Sequence, residues 1–586
     1  MNNFSLKTIS LAILSMALLS SNVLAQESSD SLEMDVTFVG EREMVVKDAL
    51  KLQSWPELRK LEAREREFSY RLLAKRMNVS PVWTMLEPVR LRVDAPLARL
   101  YRGYARAGFG LYNTPLLEIS MTDLRSREGT WGFQASHFAT EAPSDFVDDR
   151  FQDSDVGIWL SRFVGKERVD LTVNATRDNI VYYGDAVDRS GGSDTLLTLD
   201  TTNTFERYVS FGAEMGFKSH HRDSTSLNHE VKIGWSQLRD LSGTVENNFK
   251  GSFEASQFVG TEKFALTGSM DLDRIVMGSN NPDLSRTDAA IASLIPTATS
   301  YRGPLTVTAG AGMWIDADAQ SRNDAGSTFH FYPKVEASIR VLRDVFIPYV
   351  SFDGGLEFNR FASIVDKNPF YYASPKSDMR TTSRSNDLEL GMRGTLTKAI
   401  SFQVYASSTK YEDFLYFVNN SSLDTMGSRF TEFYDTLKVR SLGGYLSMNL
   451  IKNLDIRLAG SIFDYDANGQ TAAWNLPKTK WTMDLSYTIL EKFYVDVSLT
   501  VSGARSSLSQ IMPGTDAQPI LQQGNDYFYQ VKLPSYIDLN LGLEYRYNSR
   551  TSVWAKCSNV TNSDYRHWAG YQVQGIQALF GGSYAF

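Results

Sequence analysis

Residues 209–218 read VSFGAEMGFK, and in this run apolar side chains alternate with polar or small ones. Because successive side chains of a β-strand point to opposite faces, the run predicts a strand with one apolar face and one polar face. The polar face includes Glu214 and Lys218, whereas the apolar face holds no charged residue. Such a strand suits a boundary between an apolar and a polar environment.

The same alternation recurs from near residue 100 to the C-terminus, for example in residues 169–176, 331–341 and 537–544. Most runs exceed the ~5–6 residues usual for strands of soluble proteins and reach the ~9–11 residues that a tilted membrane strand needs. The side chains of a soluble β-sandwich would also alternate, but its strands would be shorter and its solvated outer face would tolerate charged residues. The pattern therefore predicts an all-β fold, a transmembrane antiparallel β-barrel over residues 100–586.

The expected strands can be counted along the chain. They lie near residues 100–109, 114–124, 130–140, 154–164, 167–179, 206–218, 229–238, 247–256, 262–272, 286–297, 304–316, 328–341, 347–358, 386–397, 400–410, 439–450, 453–464, 479–489, 492–503, 535–547, 551–559 and 572–586. This makes about 22 strands, and bacterial outer-membrane barrels have an even number. Proline is uncommon inside strands, and residues 286–297 include Pro296. They still count as a strand, because reading residues 273–303 as one loop would leave an odd number of strands.

The expected connections alternate in length. Short turns such as 165–167, 342–344, 397–399, 451–453, 490–492 and 548–550 alternate with longer connections such as 180–205, 359–385, 411–438 and 504–534. Outer-membrane barrels have short periplasmic turns and long extracellular loops. Counting from the C-terminus therefore predicts that both ends of the chain lie in the periplasm. Aromatic residues near strand ends, such as Trp481 and Trp554, suit the girdles at membrane interfaces.

The N-terminus has the features of a secretory signal peptide. Lys7 precedes a short apolar run at residues 11–19, and Ala25 ends a small-residue cleavage site, so we expect residues 1–25 to be removed. Residues 26–99 form a separate segment, either periplasmic or inserted in the lumen. After the signal peptide no run of ~18 apolar residues occurs, which excludes helical membrane spans.

Charge and cysteine content exclude several classes of function. The chain carries a formal net charge of −8 and has no basic run, which excludes nucleic acid as a partner. Cys557 is the single cysteine, so the sequence predicts no internal disulfide framework. No nucleophile elbow or comparable catalytic spacing occurs, so we expect no enzyme activity.

Residues 551–586, TSVWAKCSNVTNSDYRHWAGYQVQGIQALFGGSYAF, resemble the last two strands of TonB-dependent receptor barrels. In that family a strand ends in an Asn-x-x-Asn-x-x-Tyr loop, which here is Asn559, Asn562 and Tyr565. The final strand of the family ends in Phe, which here is Phe586.

Residues 100–110, LYRGYARAGFG, resemble TonB-receptor-like barrels of the Bacteroidota. The resemblance implies an outer-membrane location in a Gram-negative cell, contact with membrane lipids and lipopolysaccharide, and solute transport. It also implies that the barrel-assembly machinery recognises the C-terminal strand ending in Phe586. Members of the family carry an N-terminal plug domain about twice as long as residues 26–99, so we expect this chain to lack a full plug.

Two functions are open at this point. The first is solute transport or passage across the outer membrane, with residues 26–99 narrowing a lumen that would otherwise be a wide aqueous hole. The alternative is a non-transporting structural barrel, a scaffold subunit of a larger outer-membrane complex. In that case residues 26–99 would dock a lipoprotein or another envelope partner.

One motif points to a metal ion. Asp464, Asp466, Asn468 and Gly469 match the opening half of an EF-hand loop, whose oxygen ligands converge on Ca²⁺ and whose glycine permits a sharp turn. The twelfth position is Asn475 rather than a bidentate Glu. The same residue types are ordinary turn formers, so the motif predicts either a calcium site or a plain turn, and no other cofactor is expected.

Overall fold

The computed structural model describes most of the chain from residue 100 onward. The described residues are 100–124, 126, 128–141, 150–183, 205–221, 225–278, 286–318, 328–342, 344–374, 377–420, 429–510, 518–523 and 526–586. The predicted signal peptide of residues 1–25 and the predicted N-terminal segment of residues 26–99 lie outside them.

The strands follow one another around a closed antiparallel barrel. The wall strands are β1 (Gly103–Gly110), β2 (Thr114–Thr122), β3 (Gly129–Thr140), β4 (Phe151–Val164), β5 (Glu167–Val181), β6 (Phe205–Ser219), β7 (Asn228–Arg239), β8 (Val245–Val259), β9 (Glu262–Val276), β10 (Arg286–Arg302), β11 (Leu305–Asp318), β12 (Thr328–Ile339), β13 (Ile347–Phe358), β14 (Thr381–Thr397), β15 (Ile400–Asn419), β16 (Phe430–Ile451), β17 (Leu454–Ala467), β18 (Thr479–Ile489), β19 (Phe493–Ser502), β23 (Tyr536–Arg546), β24 (Thr551–Ser558) and β27 (Gln577–Ala585). Each pairs with the next, and β27 pairs with β1 to close the ring.

Shorter elements lie in the connections between wall strands. They are helix α1 (Phe361–Lys367) and strands β20 (Arg505–Ser509), β21 (Leu521–Gln523), β22 (Asp526–Leu533), β25 (Arg566–Trp568) and β26 (Tyr571–Gln572). Within the described ranges, no helix is long and apolar enough to cross a membrane. The 22 wall strands coincide with the 22 predicted ones, so the predicted fold is confirmed.

Side-chain alternation gives the wall two different faces. In β6 the apolar set faces outward, and Val209, Phe211 and Met215 are each more than 40% exposed. Their polar neighbours, such as Glu214, point into the lumen. A barrel with this apolar outer band can be surrounded by lipid hydrocarbon, because the ring of paired strands is closed.

Pro296 is accommodated by a local gap in the hydrogen-bonded ladder. On one side β10 pairs continuously with β9, including Pro296 opposite Leu266. On the other side the pairing with β11 passes from Leu294 to Thr297. Because proline has no N–H to donate, it fits where the ladder is interrupted, and the prediction of a strand over residues 286–297 is confirmed.

The two ends of the barrel carry connections of different length. One end, here called the turn end, has the short connections 165–166, 260–261, 303–304, 398–399, 452–453, 490–492 and 547–550. The other, here called the loop end, has the long connections 182–204, 359–380, 503–535 and 559–576. The predicted short turns at one end are confirmed, whereas the loop end combines long connections with the short ones 111–113 and 240–244. Phe586 lies at the turn end, where its carbonyl accepts a hydrogen bond from the Gly103 N–H at 2.9 Å.

The β15–β16 hairpin is longer than the sequence predicts. We expected strands over residues 400–410 and 439–450, with a loop over 411–438, but β15 continues to Asn419 and β16 begins at Phe430. The loop prediction is therefore wrong for much of its length. The register shifts near Asp413, whose φ of +52° marks a bulge, and beyond it both faces of the hairpin are covered.

Candidate functional site: a cap over the barrel mouth

The connection between β13 and β14 crosses the mouth of the barrel at the loop end. The Tyr208 hydroxyl on β6 lies 3.1 Å from the Pro369 carbonyl and 3.2 Å from the Tyr371 carbonyl. Around the wall, β7–β12 separate β6 from β13. A segment that leaves the wall at β13 and contacts β6 must therefore span the opening. We call the described residues of 359–380 and 559–576 the cap.

Aromatic rings hold the two parts of the cap together. The rings of Phe370 and Tyr571 stack with centroids 3.5 Å apart, and Tyr183 contacts Tyr571 edge-on at 5.0 Å. Trp568 packs against Phe417 of β15 at 5.1 Å. A single buried cluster joins these rings to the wall, and its members are Ile180, Tyr182, Tyr208, Leu238, Ile275, Met277, Phe361, Ile364, Val365, Tyr371, Ala373, Met379, Leu415, Phe417, Phe430 and Tyr571.

A buried carboxylate on the wall anchors the first turn of α1. The Glu246 carboxylate on β8 accepts a hydrogen bond from the Ala362 N–H at 2.7 Å and lies 3.7 Å from the Arg360 guanidinium. The Glu246 and Arg360 side chains are only 2% and 16% exposed. The Arg360 N–H in turn donates to the Ser363 hydroxyl at 3.0 Å, which starts the helix. This buried ion pair fixes α1 to the wall across the mouth from β13.

A second carboxylate anchors the chain that follows α1. Glu432 on β16 accepts hydrogen bonds from the Tyr371 hydroxyl at 2.8 Å and from the Asp378 N–H at 2.6 Å. Burial and the nearby Glu432 charge hold the pKa of Tyr371 well above its usual range, so this hydroxyl stays a donor. The cap is thus tied to both β8 and β16, which lie far apart around the wall.

Strands β20 and β22, between β19 and β23, cover the other face of the β15–β16 hairpin. Leu508 of β20 pairs in parallel with Val418 of β15. Leu508 joins Tyr416, Leu437 and Trp474 in a second buried cluster, in which Trp474 is 2% exposed. This packing explains why residues 414–418 of β15 are apolar at every position.

His567 in the cap lies in an environment that opposes its protonation. Burial lowers the pKa of His567, and the nearby Arg505 guanidinium lowers it further. Arg505 donates hydrogen bonds to the carbonyls of His567 at 3.0 Å and of Arg566 at 2.5 Å. The Lys480 charge also lowers this pKa, whereas Asp538 opposes the shift. Residues 559–576 are therefore held most firmly when His567 is neutral.

We expect acid to loosen residues 559–576 through His567. The folded pKa lies below the unfolded value of ~6.5, so this part of the cap is fully stable above that pH and loses stability as the pH falls below it. Hydrogen exchange of residues 559–576 should accelerate from pH 7.5 to pH 5, after correction for intrinsic exchange rates. His567→Gln should remove this acceleration, whereas His229→Gln at the turn end should not; an unchanged response in His567→Gln would contradict the prediction.

A cavity lies under the cap on the lumenal side. Its volume is about 380 Å³, and it is bounded by β3–β5 on one side, by β23, β24 and β27 on the other, and by the cap above. Phe138, Phe370 and Tyr565 present rings to it, and Gln574 and Asp538 present polar groups. Only Tyr565 is marked in the sequence, as part of the receptor-like motif; the others are distant along the chain and meet only when the barrel closes and the cap folds inward.

The predicted calcium ligands lie on β17 and just beyond its end. Asp464 and Asp466 face the cations of the neighbouring strand, with Arg440 at 3.2 Å from Asp464 and Lys438 at 4.0 Å from Asp466. Across the described part of the chain, no group of three or more His, Cys, Asp or Glu side chains is placed to hold a metal ion. The calcium site at Asp464, Asp466 and Asn468 stays a prediction, which calorimetric titration with CaCl₂ would test.

Comparisons with known proteins support the fold. No protein-family model matches the chain, and no curated protein matches it either. Among solved structures, the FrpB iron transporter from Neisseria meningitidis superposes with a TM-score of 0.62 at 10% identity, over 84% of this chain and 82% of that one. The siderophore receptor PirA from Acinetobacter baumannii gives 0.61 at 11% identity, over 83% and 81%.

A third solved structure agrees with these two. The pyoverdine outer membrane receptor FpvA from Pseudomonas aeruginosa PAO1 superposes with a TM-score of 0.60 at 11% identity, over 83% of this chain and 79% of that one. All three are named as transporters or receptors. At such low identities the likeness concerns the fold alone. The chain therefore has a 22-stranded antiparallel barrel fold like that of these proteins, and the fold implied by the resemblance of residues 551–586 to receptor barrels is confirmed.

Proposed function

We propose that this protein is a gated outer-membrane barrel that passes a solute across the outer membrane and is closed at its mouth by its own cap. The observation that carries the proposal is the crossing of the mouth by residues 359–380, anchored on β8 through Glu246 and on β16 through Glu432. A barrel of this size without an obstruction would be a wide aqueous channel. The cap supplies an obstruction at the loop end that a solute must displace.

The proposed orientation places the loop end at the cell surface and the turn end in the periplasm. Short turns on the periplasmic side and long loops outside are the usual arrangement. Residues 26–99 and Phe586 would then both be periplasmic, with residues 26–99 at the periplasmic mouth or inside the lumen. We further propose that the barrel-assembly machinery recognises the strand ending in Phe586, and that lipids and lipopolysaccharide surround the wall.

The proposal can be tested by conductance in planar bilayers. Replacing residues 361–372 by a short Gly-Ser linker should convert a silent or weakly conducting barrel into one with large, steady pores. The matched control is Glu357→Ala, which removes only an exposed ion pair with Lys367 at the other end of α1. Because residues 26–99 in the lumen would also block the channel, the replacement is repeated in a chain without them, and a folded barrel of that kind that stays silent would contradict gating by the cap.

A non-transporting scaffold barrel is the second candidate, and the closed mouth favours it as well, because such a barrel needs no open path. It predicts a stable partner, either a lipoprotein or another subunit of an envelope complex, docked through residues 26–99. Native pull-down from outer membranes, compared with a chain lacking residues 26–99, would reveal such a partner. A silent linker-replaced barrel together with a partner lost on that deletion would favour the scaffold.

A further inference from the structure

Neighbouring strands β12 and β13 are joined by the shortest ladder in the described wall. Their paired register covers only residues 335–338 of β12 and 349–352 of β13, in the half of these strands near the turn end. The next shortest ladder, between β23 and β24, joins residues 541–546 to 552–557. Residues 328–334 of β12 and 353–358 of β13, here called the lateral junction, therefore lie side by side without a ladder between them.

The sequence accounts for the end of this ladder. Pro333 of β12 has no N–H to donate, so a ladder is interrupted where it stands. On β13 the register with β14 shifts between Asp353 and Gly355, which makes Gly354 an extra residue, as in a β-bulge. Pro333 and Gly354 each lie two residues beyond the last ladder pair. They end the pairing with β13, whereas β12 stays paired with β11 along its length.

Side chains, rather than a ladder, close the wall at the lateral junction. The Tyr332 ring lies over Gly354 of β13, where an added Cβ would be 2.6 Å from it. The Tyr332 hydroxyl lies 2.7 Å from the Ser383 hydroxyl on β14. The partly exposed Lys334 ammonium and Asp353 carboxylate pair across the junction at 3.1 Å. Separating the strands here therefore breaks side-chain contacts, and not a backbone ladder that lipid cannot replace.

Trp314 of β11 brings an unused hydrogen-bond donor to the same place. Its neighbour Ile315 is 40% exposed on the outer face, so Trp314 faces the lumen. Its ring reaches past β12 to β13, where an added Cβ at Gly355 would be 3.4 Å from it. The Trp314 Nε1 is buried and has no hydrogen-bond partner among the described residues. A buried donor without an acceptor is costly, so an acceptor atom of a ligand would be stabilised there.

Aromatic rings border both sides of the lateral junction. Phe329 and Phe331 point outward from β12 and are 62% and 58% exposed. On the lumenal side His330 stacks on Tyr332, with ring planes 4° apart. These apolar surfaces suit a flexible hydrocarbon chain better than a hydrated solute.

We propose that the wall opens at the lateral junction and admits an acyl chain from the surrounding lipid into the lumen. The chain packs along the Phe331 ring outside and the Tyr332 ring inside, and an oxygen of its head group accepts a hydrogen bond from the Trp314 Nε1–H. A free fatty acid and a phospholipid both offer this chemistry. The route goes beyond the proposed function, because it passes through the wall and does not require the cap to move.

The test uses the full chain in phosphatidylcholine vesicles with two photoactivatable probes. One probe is a fatty acid and the other a phosphatidylcholine, each with a diazirine in an acyl chain, so the two arms separate the two lipids. Mass spectrometry maps the labelled residues. At least one probe should label Trp314 and Tyr332 in the lumen as well as the outward Phe329. Trp314→Phe, which keeps a ring but removes the donor, should reduce labelling of Tyr332 about 3- to 10-fold, as expected for one lost hydrogen bond.

A disulfide across the lateral junction makes the test specific. A Cβ at Gly354 would lie 3.0 Å from the Tyr332 Cβ, close to the ~3.8 Å usual in disulfides. It would also lie 2.9 Å from the Arg384 carbonyl oxygen, so the backbone must shift slightly. Tyr332→Cys with Gly354→Cys, in a Cys557→Ser background, should therefore cross-link on oxidation. Oxidation should abolish labelling of Trp314 and reduction should restore it, while outward residues stay labelled.

The control disulfide joins two lumenal positions within a continuous ladder. Ser407 and Ser441 lie opposite each other on β15 and β16 with their hydroxyls 2.6 Å apart. Oxidation of Ser407→Cys with Ser441→Cys should leave labelling of Trp314 unchanged.

Three results would overturn the inference. They are labelling of outward residues alone by both probes, no effect of Trp314→Phe, and equal labelling of Trp314 in the oxidised and reduced forms of the cross-linked variant. Heat-modifiability on gels establishes folding; if the variant with the disulfide fails to fold, the map of the unaltered chain and Trp314→Phe decide. Conductance of the linker-replaced barrel tests the cap separately, so gating by the cap and opening of the lateral junction stand or fall independently.

Discussion

Replacing Glu246 with alanine is expected to release the cap from the wall. The change removes the acceptor of the Ala362 N–H and leaves the Arg360 guanidinium, 16% exposed, without its closest counter-charge. Removing one partner of a buried pair typically costs about 3–5 kcal/mol. Asp273 also interacts with Arg360, so we expect about 2–3 kcal/mol here. Amide exchange of residues 359–374 should then accelerate roughly 30- to 150-fold.

Two further variants make the Glu246 result specific. Glu246→Gln keeps an acceptor for the Ala362 N–H and loses only the charge, so its effect should be smaller. Glu357→Ala breaks an exposed pair with Lys367, which is the kind of surface pair that contributes about 0–1 kcal/mol. Equal acceleration in Glu246→Ala and Glu357→Ala would show that the buried anchor does not hold the cap.

The wall could be predicted from sequence because each wall strand separates lipid from lumen. At that boundary apolar and polar side chains must alternate with a period of two residues, and residues 209–218 show this alternation without interruption. Even Pro296 did not obscure it, because the parity of short and long connections required a strand there. A single physical constraint, repeated at every crossing, was enough to locate the strands and their order.

The cap could not be predicted because its parts obey no repeating constraint. Residues 414–418, FLYFV, are apolar at every position because both faces of β15 are buried there. The two-residue alternation therefore disappears in this stretch. In the sequence, Glu246 lies just before a predicted strand and Glu432 lies in a predicted loop, so neither is marked as an anchor. Their role as anchors depends on which wall strands residues 359–380 contact, and only the tertiary structure determines those contacts.

The interpretation of Trp554 as a girdle residue is wrong for a reason visible in the alternation itself. Val553 is 57% exposed on the outer face, so its neighbour Trp554 points inward and is 2% exposed. Trp481, by contrast, is 51% exposed on the outer face, as a girdle residue would be. A position near a strand end therefore does not by itself identify a girdle residue. Successive residues of a strand face opposite sides of the wall, and this alternation decides which face an aromatic residue occupies.

Replacing Trp554 with alanine is expected to weaken the seam where the barrel closes. The Trp554 ring lies in a slot formed by Gly108 of β1 and Gly581 of β27, and a Cβ at Gly581 would lie 2.6 Å from it. The Arg106 guanidinium covers the ring at 4.1 Å from its centroid. Removing a buried Trp should lower the free energy of unfolding by about 3–5 kcal/mol, measured as a lower urea midpoint for the folded barrel in vesicles.

The control variant is Trp481→Ala, which removes a ring lying over Gly460 on the outer face. This change should cost clearly less, because about half of the Trp481 ring has no contact with protein. Equal losses for Trp554→Ala and Trp481→Ala would mean that the inward slot adds nothing to closure of the ring.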